Sequence, residues 1–267
     1  MNVLKKCEII GKVILSWVQI AHDFLLLAGQ TLYWIVIGPF KKKPVKAPAV
    51  FEQMVFMGIK SVVIVFFVTF FTGVVLAMQS AHQLKQMGAV IYVASLVSIS
   101  ICRELGPVLT ALVIAGRIGA AITAEIGSMK VNEQLEALDT MGINPVRFLV
   151  VPKLIALFFM LPCLTVIGDL SGMMGGYLVG VHNLNINSHL YVQTAFKFLT
   201  LKDIYTGLSK SLIFALIIAL VGAYQGIHTK GGAVGVGKAT TISVVTSFIM
   251  IIVADCIVTG IYYFQNM

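Results

Sequence analysis

Charged side chains set inside long apolar runs are where this sequence could do chemistry. Arg103 and Glu104 interrupt SISICRELGPVLTALVIAGR, and Lys210 interrupts GLSKSLIFALIIAL. Asp169 and Asp255 break two further apolar stretches. An unpaired charge at mid-bilayer costs about 2.5–3.5 kcal/mol on insertion scales, so such groups pair with each other or face a cavity. Glu104 and Lys210 are opposite in sign and form a natural pair. Two readings stay open for Arg103, Glu104 and Lys210: a structural ion pair, or the polar part of a transport path. Asp169 and Asp255 read as structural. No nucleophile–base pair lies in the apolar runs. His22, His82, His182, His189 and His228 fall near run ends or in loops, which points away from catalysis.

The segment GGAVGVGKAT (231–240) has the spacing of a phosphate loop through Gly232, Gly237 and Lys238. Ala239 stands where Ser or Thr must ligate magnesium, and no strand precedes it. It reads as a flexible turn with a basic anchor. No cofactor is expected in this chain, and ATP and magnesium, if used, belong to another chain. Cys7, Cys102, Cys163 and Cys256 show no CxxC spacing, so they read as free thiols with neither disulfide nor metal.

A polar island, 124–148, separates two long apolar runs. Val131, Leu135 and Leu138 recur at helical spacing on one face, and Glu133, Glu136 and Thr140 on another. Gly142 and Asn144-Pro145 are placed to end the pattern. The spacing predicts an amphipathic helix over about 128–141 that docks onto a partner. Its acids, Glu125, Glu133, Glu136 and Asp139, outnumber Lys130 and Arg147.

These elements sit in a chain of 267 residues, 58% hydrophobic and 11% charged, with mean hydropathy +0.96. Soluble domains run about 25% charged, so this is an all-α integral membrane protein. Apolar residues run continuously rather than alternating, which excludes a barrel. Five spans are expected at about 52–82, 88–123, 147–181, 204–227 and 239–264, with kink points at Pro107 and Pro162. Residues 13–40, broken by Gln19, His22, Asp23 and Gln30, read as an amphipathic helix or helix pair in the interface, anchored by Trp17, Tyr33 and Trp34. A further span there is the alternative. Residues 1–50 thus form an interfacial unit with a basic linker, and 51–267 a five-span domain. The charged start MNVLKKCEIIGKVIL lacks a cleavage site and is expected to be retained.

The sequence pI is about 9.3, but this is no signature of nucleic-acid binding. Seven of the 19 basic residues, Lys5, Lys6, Lys12, Lys41, Lys42, Lys43 and Lys46, precede residue 51. That marks a cytoplasmic face, with the island inside and the C-terminus outside. Gly168, Gly172, Gly176 and Gly180 line one face of the third span. They favour close intramolecular packing over a dimer seam.

The stretch RELGPVLTALVIAGRIGAAITAEIGSMKVNEQLEALDTMG (103–142) resembles the signature of the MlaE/YrbE permeases. The similarity extends through NPVRFLVVPKL, LPCLTVIGDLSGMMGGYLVGV, KSLIFA and GVGKATTISVV. The resemblance implies a multi-pass permease subunit of an Mla-type ABC transporter in a bacterial inner membrane. It implies a homodimer that moves phospholipid between inner and outer membranes and is not itself an enzyme. It also implies partners: a cytosolic ATPase, a periplasmic MCE-domain protein and a STAS-domain protein. The island becomes the coupling helix, with Glu125, Lys130, Glu133, Leu135, Glu136, Leu138 and Asp139 facing the ATPase. Arg103 would bond a lipid phosphate, and Glu104 and Lys210 would fix the polar part of the cavity. Leu76, Ala77 and Gln79 would face lipid tails. The alternative is an ion- or proton-coupled secondary transporter using the charges of Arg103, Glu104, Lys210 and Asp255; no inverted repeat supports it.

Overall fold

The computed structural model describes residues 2–38 and 47–265. Lys5, Lys6, Lys12, Lys41, Lys42, Lys43 and Lys46, with Cys7 and Trp17, lie outside the described residues or side chains. Among the described residues there is no strand. Five helical stretches are long and apolar enough to cross a membrane: Ala47–Gln86, Val90–Val131, Val146–His182, Leu201–Ile227 and Gly232–Phe264. Each overlaps an expected span. The amino-terminal segment is a single helix, Asn2–Val36, not a pair, and is not among the five. Its Leu27 and Thr31 are buried. Phe24 meets Tyr224 edge-on at 5.8 Å, and Arg147 stands over Trp34 at 5.4 Å. The helix is thus fastened to the end of the bundle that carries the island.

The second, third and fourth spans make the core. About half of each apolar window is buried, against 28% of the first span and 17% of the fifth, so those two are peripheral. Ile114, Ile118, Leu157, Leu161, Phe214 and Ile218 fill the centre.

Proline shapes two spans, though not at both expected places. Wide π turns occupy Ile101–Leu105 and Val146–Val150, two residues before Pro107 and Pro152. A proline has no N–H to give and crowds the carbonyl four residues back, and a widened turn relieves both problems. Pro162, the other expected kink point, lies within an uninterrupted helix. A third wide turn, Ala115–Gly119, has no proline beside it.

The glycine face of the third span packs within the chain. A Cβ on Gly172 would sit 3.0 Å from the Ile101 side chain, and one on Gly180 would sit 2.2 Å from the Tyr191 ring. The closest crossing adds Gly73 of the first span, where a Cβ would lie 1.9 Å from the Gly172 carbonyl oxygen. Hydroxyls tie the spans where backbones meet. Thr69 bonds Ser171, and Thr123 donates to the Gly222 carbonyl at 3.0 Å or to Ser243 at 2.8 Å.

The island is not one helix over 128–141. The second span continues to Val131, and a separate helix runs Gln134–Thr140. Between them Glu133 takes a left-handed conformation, φ 58°, which ends one helical path and starts another. The apolar stripe turns inward: Leu135 is buried, and Leu138 packs against the chain's own core. Residues 232–240 are the opening turns of the fifth span's helix, not the expected flexible turn. A further helix, Ser188–Phe198, joins the third and fourth spans. Asn187 caps it by accepting the His189 N–H at 2.9 Å. Burial pushes its Tyr191 phenol up to about 12.

Candidate functional site

Lys210 organises the polar centre. It lies on the fourth span with no exposed surface. One turn earlier, Gly207 lets that helix approach the second span. A Cβ there would sit 2.2 Å from the Cys102 carbonyl oxygen. Cys102 belongs to the wide turn ahead of Pro107, so the turn and the glycine together bring Glu104 to Lys210.

The Lys210 ammonium donates to Glu104 Oε2 and to Thr259 Oγ1 at 2.7 Å. Asp255 Oδ1 lies 2.8 Å from Nζ, in ion-pair contact but outside hydrogen-bond geometry. The sequence-matched pair is therefore a cluster on three spans, one cation between two carboxylates. The cation is sealed, while the carboxylates keep 34% and 22% of their side-chain surface. The cluster thus shows its acidic side outward. Thr259 is the member that sequence reasoning missed, and Asp255, read there as structural, was not joined to the pair. Asp255 was visible as a charge in an apolar run, but nothing in the chain told which neighbour it met.

Arg103 leaves from the same wide turn in another direction. It faces Asp203 at 3.8 Å and keeps 36% of its side chain exposed. Asp203 is itself held by Thr200, whose N–H and hydroxyl donate to its other oxygen at 3.0 and 2.7 Å. Arg103 makes no hydrogen bond to any described residue. Its fork of five donors is positioned and unspent.

Asp169 does not join this cluster. It is buried against Gly106, where a Cβ would lie 1.8 Å from its Oδ1. That oxygen and the nearby Thr110 hydroxyl have no partner among the described residues. Leu76 packs into the chain's own core, and Ala77 is fully buried. Ala77 therefore does not face lipid tails as expected, because the first span turns it to its neighbours, while Leu76 is half-buried and keeps part of its surface open. Gln79 is exposed. Among the described residues no group of His, Cys, Asp and Glu could hold a metal ion.

On the island, Lys130 donates to Glu136 across the break between helices. That bond holds the Glu136 carboxyl below its usual range. Glu125 is taken by Lys153 at 2.7 Å, with Lys153 buried. Glu133 and Asp139 remain exposed and unpaired among the described residues.

The sequence profile of the family described as Permease MlaE matches residues 50–261. The chain belongs to the MlaE permease family. It is 40% identical over 260 residues to a probable ABC transporter permease protein of Rickettsia typhi, covering 97% of this chain and 98% of that one. A protein of the same description from Synechocystis sp. is 39% identical, over 90% and 89% of the two chains. One from Pyropia yezoensis is 36% identical, over 80% and 81%. The profile of the MlaE family spans every wide turn, the charged cluster and the island.

Proposed function

We propose that this MlaE-family permease moves phospholipid between two membranes of a bacterial envelope. Arg103 is the observation that carries it: an exposed guanidinium, braced by Asp203 and free to bond, in the turn that also builds the Glu104–Lys210–Asp255 cluster. A phosphate diester accepts two parallel bonds from such a fork. The outward carboxylates keep soluble anions off while leaving the arginine to a lipid held by its tails. Two copies form the path. A separate ATPase chain drives it, with an MCE-domain protein outside and a STAS-domain protein beside the ATPase. The island lies in the cytosol and the C-terminus in the periplasm of an inner-membrane protein. Glu133 and Asp139 offer the ATPase their free charges, Lys130 and Glu136 brace the island, and Leu135 and Leu138 carry its motion inward.

Two experiments test this. Arg103→Gln should lower phospholipid retained through purification by about tenfold, the worth of one charged hydrogen bond. Unchanged lipid by mass spectrometry overturns the role. Glu133→Lys with Asp139→Lys should release a co-purifying ATPase from a folded permease. ATPase retained at wild-type stoichiometry overturns the coupling role. The ion-coupled alternative gives way to the family membership.

A further inference from the structure

The second span carries two arginines, and both sit in wide turns: Arg103 in Ile101–Leu105 and Arg117 in Ala115–Gly119. About 21 Å of helix rise separates them. Arg103 lies towards the end with the connecting helix Ser188–Phe198, and Arg117 towards the island.

The first span sets the depth of Arg117. Its helix Val62–Gln86 has 25 residues, enough by itself to cross a hydrocarbon core of about 30 Å. The elbow before it, Gly58 to Ser61, therefore falls at headgroup depth on the island side. The Arg117 guanidinium reaches this elbow, donates to Ser61 Oγ and stands 5.6 Å from the Phe56 ring centroid. The Lys60 ammonium also stands 5.6 Å from that centroid. Neither cation pairs with a carboxylate among the described residues. Arg117 keeps most of its five N–H donors unused. Phe56 and Lys60 line a cavity of about 560 Å³, shared with Glu52, Gln53, Val55 and Glu125. Glu125 is committed to Lys153, which leaves Glu52 as the cavity carboxylate without an ion-pair partner among the described residues.

We infer that this elbow is a second headgroup site, taking a zwitterionic phospholipid from the leaflet on the island side. The phosphate lies on Arg117 and Lys60, and the ammonium on Glu52 beside the Phe56 ring. A membrane arginine with no counter-ion is costly, and a lipid phosphate at this depth supplies the missing charge. The two sites then stand at opposite ends of one helix. The inference rests on the phospholipid reading above, and the variants below separate the two.

The delipidated full-length protein is titrated with dilauroyl-phosphatidylethanolamine, and lipids bound per chain are counted by native mass spectrometry. Wild type should show two strong binding steps. Arg103→Gln should lose one, and Lys60→Gln with Glu52→Gln should weaken the other about tenfold. Dilauroylglycerol, which lacks the phosphate, should fill neither. Both changed side chains of the double variant are exposed, so it folds, and Arg117→Lys should retain less than wild-type affinity at this step. Two unchanged steps in the double variant overturn the site. Loss of both steps in Arg103→Gln reduces the two sites to one and overturns it as well. Equal competition by water-soluble glycerophosphoethanolamine overturns the lipid as its source. An Arg103→Gln protein that keeps both steps, beside a double variant that loses one, sinks the Arg103 assignment and leaves this site standing.

Discussion

Lys210 has no exposed surface and three polar contacts, all to other spans. Removing its charge leaves two carboxylates facing each other without a counter-ion. Breaking a fully buried pair costs about 3–5 kcal/mol, and the partial exposure of these two carboxylates lowers that. Lys210→Met should therefore lower the thermal unfolding temperature of the purified protein clearly. Adding Glu104→Gln and Asp255→Asn should restore most of it, because no orphan charge remains. A triple variant no more stable than Lys210→Met would show that the loss is one of shape. The Glu104–Lys210 pair is legible in sequence because charges are few in these runs and opposite signs must meet. Asp255 is not, because its partner depends on how the fifth span rotates against the fourth. Arg103 and Asp203 are a similar case: the arginine is visible, while its brace comes from a helix cap a hundred residues away.

At the scale of elements, glycine decides where helices touch. The third span's spaced glycines announce close packing, but Gly73 is isolated and carries no pattern. Its backbone nevertheless meets that of Gly172, where a Cβ would lie 1.9 Å from the carbonyl oxygen. Gly73→Ala should force the first and third spans apart and sharply reduce the yield of folded protein. Gly116→Ala, with nothing within 4 Å of its Cβ, should express normally. Equal yields by size-exclusion chromatography would count against the crossing. The island shows the opposite limit of pattern. Its periodicity runs correctly through Val131, Leu135 and Leu138, yet Glu133 turns the chain, so one expected helix is the end of a span plus a short separate helix. Periodicity reports faces, not breaks. The near-phosphate loop at 231–240 fails for a related reason: glycines that suggest a loop are carried into a helix once a long apolar run follows them.

For the whole molecule, the first and fifth spans keep broad apolar surfaces. Phe67, Phe71 and Val75 on one, and Ile249, Ile252 and Val253 on the other, are exposed. Lipid covers such faces at no cost, and so does a second copy. The homodimer proposed above requires the second cover. The purified protein in nanodiscs should carry protein mass for two chains of 28.9 kDa. A single chain per disc by mass photometry would overturn it.

The sequence by itself determined the membrane class, the five spans, the sparse charges and the family. Those follow from composition, run length and a long local motif, each readable without knowing what touches what. Only the tertiary structure decided that three spans seal Lys210, that the island's apolar stripe faces inward, and that Arg117 stands at the elbow with no carboxylate partner among the described residues. Each of these depends on helix rotation and register, which wide turns and single glycines set. In an apolar chain those rotations leave little trace, because lipid-facing and core-facing sides are made of the same residues.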